Sequence, residues 1–136
     1  QLLALPLDGH NAERLAESEK LLSGISAAKR TDPEIAALRT RLRFLRIAAS
    51  TPPLAQLERT VAGDPANAEA RYQLSAHKVL AGDYEPAMQQ LLELVRRDRR
   101  YGDDAGRKGL VDLFTLLGNN DPLVAKYRGL LSRALN

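Results

Sequence analysis

From Tyr84 onward, apolar residues fall at 84, 87, 88, 91, 94 and 95, each with a neighbour in the series three or four residues away. That spacing puts all six on one face of a helix, whereas a strand would alternate. Tyr72, Leu74, Val79 and Leu80 mark a helix before it, with Asn67 placed to cap its start. Ala81-Gly82-Asp83 closes that helix, and Gly82 suits a left-handed C-terminal cap. Asp32-Pro33-Glu34 opens a longer helix to about residue 49. It carries one stripe of Ile35, Leu38, Leu42, Leu45 and Ala49, and a second of Ala37, Phe44 and Ala48. A helix apolar on two sides sits between layers. Thr51-Pro52-Pro53 breaks the chain before a short helix from Leu54 to Ala62. Asp104 to Leu117 makes a further helix, stopped by Gly118, and Asp121-Pro122 starts the last. Asn11 to Leu22 reads as one more, so seven helical segments are predicted and no strand.

The breaks between these helices are regular. Asp32-Pro33, Asp64-Pro65 and Asp98-Arg99 stand 32 and 34 residues apart. A period of about 34 residues holding two helices is the spacing of tetratricopeptide repeats. The predicted fold is all-α, a right-handed superhelical stack of antiparallel helix pairs. It forms a single domain over 1–136, with units at about 11–31 (partial), 32–63, 64–101 and 102–136. Small residues stand where paired helices approach closely, at Ser75 and Ala87. Leu110, Phe114, Gly118 and Tyr127 repeat the leucine, aromatic, glycine, aromatic spacing, with Gly102–Asp104 inserting about two residues.

Composition agrees. Leu and Ala number 25 and 20, against 5 Val and 3 Ile, which favours helix over sheet. No run approaches the roughly 18 apolar residues of a membrane span. The absence of Cys removes disulfides, thiolate metal sites and cysteine nucleophiles. A net charge of +3 is too mild to call for a nucleic-acid partner.

Candidate chemistry is sparse. His10 and His77 lie far apart in sequence, without metal-ligand spacing, and read as structural or solvent-facing. Asp103-Asp104 reads as helix capping, because adjacent helical residues do not face each other. Gly106-Arg107-Lys108-Gly109 lacks the Ser or Thr and the preceding strand of a phosphate loop. Arg96, Arg97, Arg99 and Arg100 complement a helix C-terminus. Arg39, Arg43 and Arg46 lie within about 60° of one another on their helix. No aromatic residue interleaves with them to stack bases. No catalytic residue, cofactor or metal is expected.

The stretch Ala81 to Asn136 carries a closer likeness. Gly82-Asp83-Tyr84-Glu85-Pro86-Ala87 resembles the turn of a tetratricopeptide repeat. Leu91 to Arg99, Gly102 to Lys108, Leu110 to Gly118 and Asp121 to Arg128 resemble one particular group. That group is the C-terminal tetratricopeptide-like domain of bacterial thioredoxin-fused proteins, the chaperedoxins. The likeness spans roughly 54–136, and 1–53 more loosely. It implies a cytoplasmic, redox-linked holdase with a thioredoxin domain N-terminal to this region. Such a holdase guards unfolding clients and passes them to the chaperonin through its last helix. The chain, which begins at Gln1 rather than Met, is expected to be part of such a longer protein.

In this sequence that last helix is Pro122 to Leu135. Leu123, Tyr127, Leu130 and Ala134 form one face, expected to pack around Phe114. Val124, Leu131 and Leu135 lie at its edge, with Arg128 just beyond as a charged rim. These four are the candidate protein-binding residues. Sealing the end of the solenoid is the other role open to that edge. The runner-up function is a generic repeat scaffold for another protein, or for RNA through the Arg surface. A clamp on a C-terminal carboxylate is disfavoured, because Tyr72 and Ala76 stand where paired Lys and Asn are needed.

Overall fold

In the computed structural model, residues 33–136 are described. The helix read at Asn11–Leu22, the partial unit 11–31, His10 and the cap at Asp32 lie outside them. Six helices follow in order: α1 (Pro33–Ala49), α2 (Leu54–Gly63), α3 (Ala68–Leu80), α4 (Tyr84–Arg97), α5 (Ala105–Leu117) and α6 (Pro122–Leu135). No strand occurs among the described residues. The architecture is that of a helical repeat solenoid.

The predicted punctuation holds. Asn67 Oδ1 accepts the Ala70 N–H at 3.0 Å, capping α3. At the other end Gly82 takes φ +81°. The Gly82 N–H then reaches Val79 O at 3.0 Å and the Asp83 N–H reaches Lys78 O at 2.9 Å. This paired return satisfies carbonyls the helix end would leave bare. Thr51 Oγ1 donates to Ala48 O at 3.0 Å just before Pro52 and Pro53 break the chain.

α3 packs on α4, and α4 on both α5 and α6. α1 lies against α3 and also against α5, while α2 lies against α3. The two-sided reading of α1 is correct. Phe44 and Ala48 join the main core with Met88, Leu91, Leu110 and Phe114. Leu42 and Leu45 form a second cluster with Ile35, Leu38 and Leu80. Ala49 departs from its predicted stripe. It is the last residue of α1 and is exposed. Ser75 and Ala87 are fully buried, as their size requires for close helix approach.

One buried cation ties α3 to α4 and to the turn before α3. Arg71 on α3 is 7% exposed. Its Nη1 donates to Gln90 Oε1 on α4 at 2.7 Å, and its Nη2 to Pro65 O at 2.7 Å. Burial lowers its pKa, with Arg97 adding to the effect and Glu93 opposing it.

Candidate protein-binding groove

α5 owes its position to two glycines. A Cβ on Gly106 would lie 3.0 Å from both Leu91 O and Val95 Cγ2. A Cβ on Gly109 would lie 2.9 Å from Leu91 Cδ2. Gly106-Arg107-Lys108-Gly109 is therefore a stretch of helix whose glycines admit α4, and Leu110, Leu113 and Phe114 are buried as a result.

The start of α5 corrects a sequence expectation. Asp104 occupies the N-cap position but makes no side-chain capping bond. Gly102, Asp103 and Asp104 have φ of 57°, 58° and 65°, three left-handed residues in a row. This turn absorbs the inserted residues and directs the carboxylates elsewhere. Asp103 Oδ2 accepts from Lys108 Nζ at 2.9 Å, and Asp104 pairs with Arg107 at 3.6 Å. The Lys108 hydrogen bond holds the Asp103 carboxyl below its usual range.

α6 starts where predicted. Asp121 Oδ1 accepts the Leu123 N–H at 2.9 Å, with Pro122 in the first turn. The Tyr127 hydroxyl donates to Glu85 Oε2 at 3.0 Å, and Lys126 Nζ reaches the same oxygen at 2.6 Å. The two side chains tie α6 to the start of α4.

The face that α6 buries differs from the expected one. Val124 is 0% exposed and Leu131 7%, so they lie in the core with Tyr127 rather than at a free edge. Leu123, Leu130 and Ala134 are only half-buried. At 100° per residue, the buried line 124, 127, 131 is centred about 60° round the helix from the predicted centre. The reason is that α4 and α5 both press on α6. Its apolar arc is wide, and the middle of that arc enters the cleft between them.

Three of the four candidate residues still come together. Arg128, Leu131 and Leu135 line an open groove of about 390 Å³ with Val111, Phe114, Thr115 and Ser132. Val124 is not among its lining residues. The Arg128 guanidinium stands 5.6 Å from the centre of the Phe114 ring, and its Nη2 donates to Asn119 Oδ1 at 2.8 Å. Arg99 Nη1 donates to Leu135 O at 3.2 Å, tying the end of α6 to the loop after α4. Val111 was missed in the sequence reading. At 43% exposure it is the exposed large apolar side chain of the described residues. Its register between Arg107 and Phe114 was the available signal.

A second depression, of about 530 Å³, opens between α1, α3 and α5. Arg43, Tyr72, Arg107, Lys108, Val111 and Asp112 are among its lining residues. Arg43 Nη2 meets Asp112 Oδ1 at 2.9 Å and also donates to Thr40 Oγ1 at 3.2 Å. Tyr72 packs its ring 6.0 Å from that of Tyr101.

The remaining singled-out residues have structural places. His77 Nε2 and Thr51 Oγ1 share a hydrogen bond of 2.8 Å, and burial pushes the imidazole pKa down. Arg96 and Arg97 pair with Glu93 at 3.2 and 2.9 Å in the last turns of α4. Among the described residues no cluster of three potential metal ligands occurs. Among them, too, no helix is long and apolar enough to cross a membrane.

Residues 47–136 match the family described as tetratricopeptide repeat. No curated protein and no solved structure matches the chain. Repeats of this family generally mediate contacts between proteins, and domains built from them are typically non-catalytic.

Proposed function

The chain belongs to the tetratricopeptide-repeat family, and we propose that it is a non-catalytic protein-binding module whose α5–α6 groove receives an apolar segment of a partner protein. The groove itself carries this reading. It is open, its walls are largely apolar, and Val111 stands exposed at its edge. An amphipathic segment laid into such a groove removes apolar surface from water on both sides. Arg128 supplies a charged rim.

The finer reading places this module in chaperone traffic. It is the cytoplasmic C-terminal domain of a thioredoxin-fused holdase, and α6 and its groove meet the chaperonin or an unfolding client. The likeness of residues 81–136 to the chaperedoxin domain supports it. The test is binding of purified chaperonin to the domain, read by interferometry and size-exclusion. Val111→Asp and Arg128→Glu, each with an unchanged thermal melt, are expected to weaken binding at least about tenfold. That corresponds to roughly 1.4 kcal/mol. Unchanged binding by both variants removes the groove as the contact. No binding by the parent protein removes the chaperonin reading.

A further inference from the structure

Val111 lines both depressions, the apolar α5–α6 groove and the cleft between α1, α3 and α5. We infer that the two form one binding track across α5, and that its ligand is an acidic–apolar helical segment of a partner protein. The inference rests on the protein-binding reading above and adds the chemistry of the partner.

Charge gives the ligand its sign. Arg43, Arg107, Lys108 and Arg128 line the track, against a single lining carboxylate, Asp112. Three of these cations already have partners: Arg43 with Asp112, Arg107 with Asp104, and Lys108 with Asp103. The Arg107 and Lys108 pairs are solvent-exposed and the Arg43 pair is partly so, so water and salt screen them and they exchange for an incoming carboxylate.

Position gives the ligand its layout. Arg107, Val111 and Phe114 follow one another at steps of four and three along α5, on one face. The basic end of that face lies toward the start of the helix, and the apolar end lies toward α6. From Arg107 the helix rises about 6 Å to Val111 and about 10 Å to Phe114, one and two turns. The ligand therefore carries carboxylates one to two turns from its apolar anchors. The apolar end also separates a protein from a nucleic acid, which would need open ring faces for its bases. The groove wall is Val111, Leu131 and Leu135 with Phe114, a buried residue whose ring Arg128 faces, and in the other depression Tyr72 packs against Tyr101.

Fluorescence anisotropy with labelled designed peptides tests this. Three amphipathic helical peptides share one leucine stripe, and their remaining flank carries Glu, Gln or Lys. A labelled single-stranded oligouridylate is the fourth probe. The Glu peptide is expected to bind at least about tenfold more tightly than the Gln peptide at low salt, and the advantage to shrink as salt rises. Arg107→Glu with Lys108→Glu is expected to abolish that advantage, and Val111→Asp to weaken both the Glu and the Gln peptide, the Glu peptide more. Val111→Ser, which adds no charge, is expected to act in the same direction. Each variant is first matched to the parent by thermal melt. Equal binding of the Glu and Gln peptides overturns the acidic ligand and leaves the groove standing. Peptide binding indifferent to both Val111 variants overturns the groove as well, as does a failure of all three peptides to bind. Oligouridylate that binds more tightly than the Glu peptide and displaces it overturns the protein ligand.

Discussion

Gly109 of α5 lies against the Leu91 side chain of α4 so closely that a Cβ at 109 would stand 2.9 Å from Leu91 Cδ2. Leu91 is itself fully buried, so its methyl groups have little room to yield. One turn earlier Gly106 meets Leu91 again, this time at the backbone carbonyl. The closeness of α4 and α5 is set by these two missing side chains, and the groove on the far side of α5 depends on it.

Gly106→Ala is accordingly expected to destabilise the domain by about 1–3 kcal/mol through overpacking, despite alanine's better helix propensity. Gly129→Ala on α6 provides the opposite sign. The nearest atoms its Cβ would meet are the guanidinium nitrogens of Arg133 at 3.8 and 3.9 Å. It is expected to stabilise by up to about 1 kcal/mol. Urea titration of both variants checks the pair.

Leu91→Ala is expected to cost about 2–5 kcal/mol, because the residue is fully buried and both glycines of α5 close over it. A change below about half a kcal/mol in the same titration would contradict the packing described for α4 and α5.

Gln90→Ala leaves Arg71 Nη1 without the acceptor it now has at 2.7 Å. An unmet buried donor costs about 1–3 kcal/mol. Gln90→Glu supplies an acceptor of opposite charge to the guanidinium and is expected to retain most of the parent's stability. Thermal melts of the two variants distinguish loss of the bond from loss of side-chain bulk.

The pH dependence follows from His77. Burial holds its pKa below the usual 6.5, so the folded state favours the neutral ring. As pH falls below about 6.5, the unfolded chain binds this proton before the folded one does, and stability drops. Above that value the contribution is fully present. A Tm series from pH 8 to pH 5 is expected to show the decline, and His77→Gln to flatten that part of the curve.

Much of the fold was legible because local signals and tertiary packing agree. Asn67, Gly82 and Asp121 act through hydrogen bonds to the backbone within a few residues, and Pro122 through its fixed φ at the helix start, all of which sequence spacing specifies directly. The series 84, 87, 88, 91, 94, 95 named the buried face of α4, omitting Leu92. The roll of α6 was not legible. Its apolar arc is wide enough for several faces, and α4 and α5 together choose among them. Val124 and Leu131 consequently moved from the expected edge into the core. Gly106 and Gly109 drew attention only as a phosphate loop to be set aside, because a glycine does not announce which neighbour occupies the space it leaves. Asp103 and Asp104 looked like caps until the left-handed turn turned their carboxylates toward Lys108 and Arg107. Arg128 and Leu135 lie together at one end of that arc and line the groove.

The seating of α1 on α5 as well as α3 alters how this array comes apart. In a linear solenoid each unit touches only the next, so an end can fray while the rest stays folded. Here α1 reaches past its neighbour, and Arg43 meets Asp112 from two units along. Opening α1 exposes Phe44 and Ala48 together with the surfaces of α3 and α5 they cover. These three helices are then expected to open together, so that hydrogen exchange finds their slowest amide rates converging on one value.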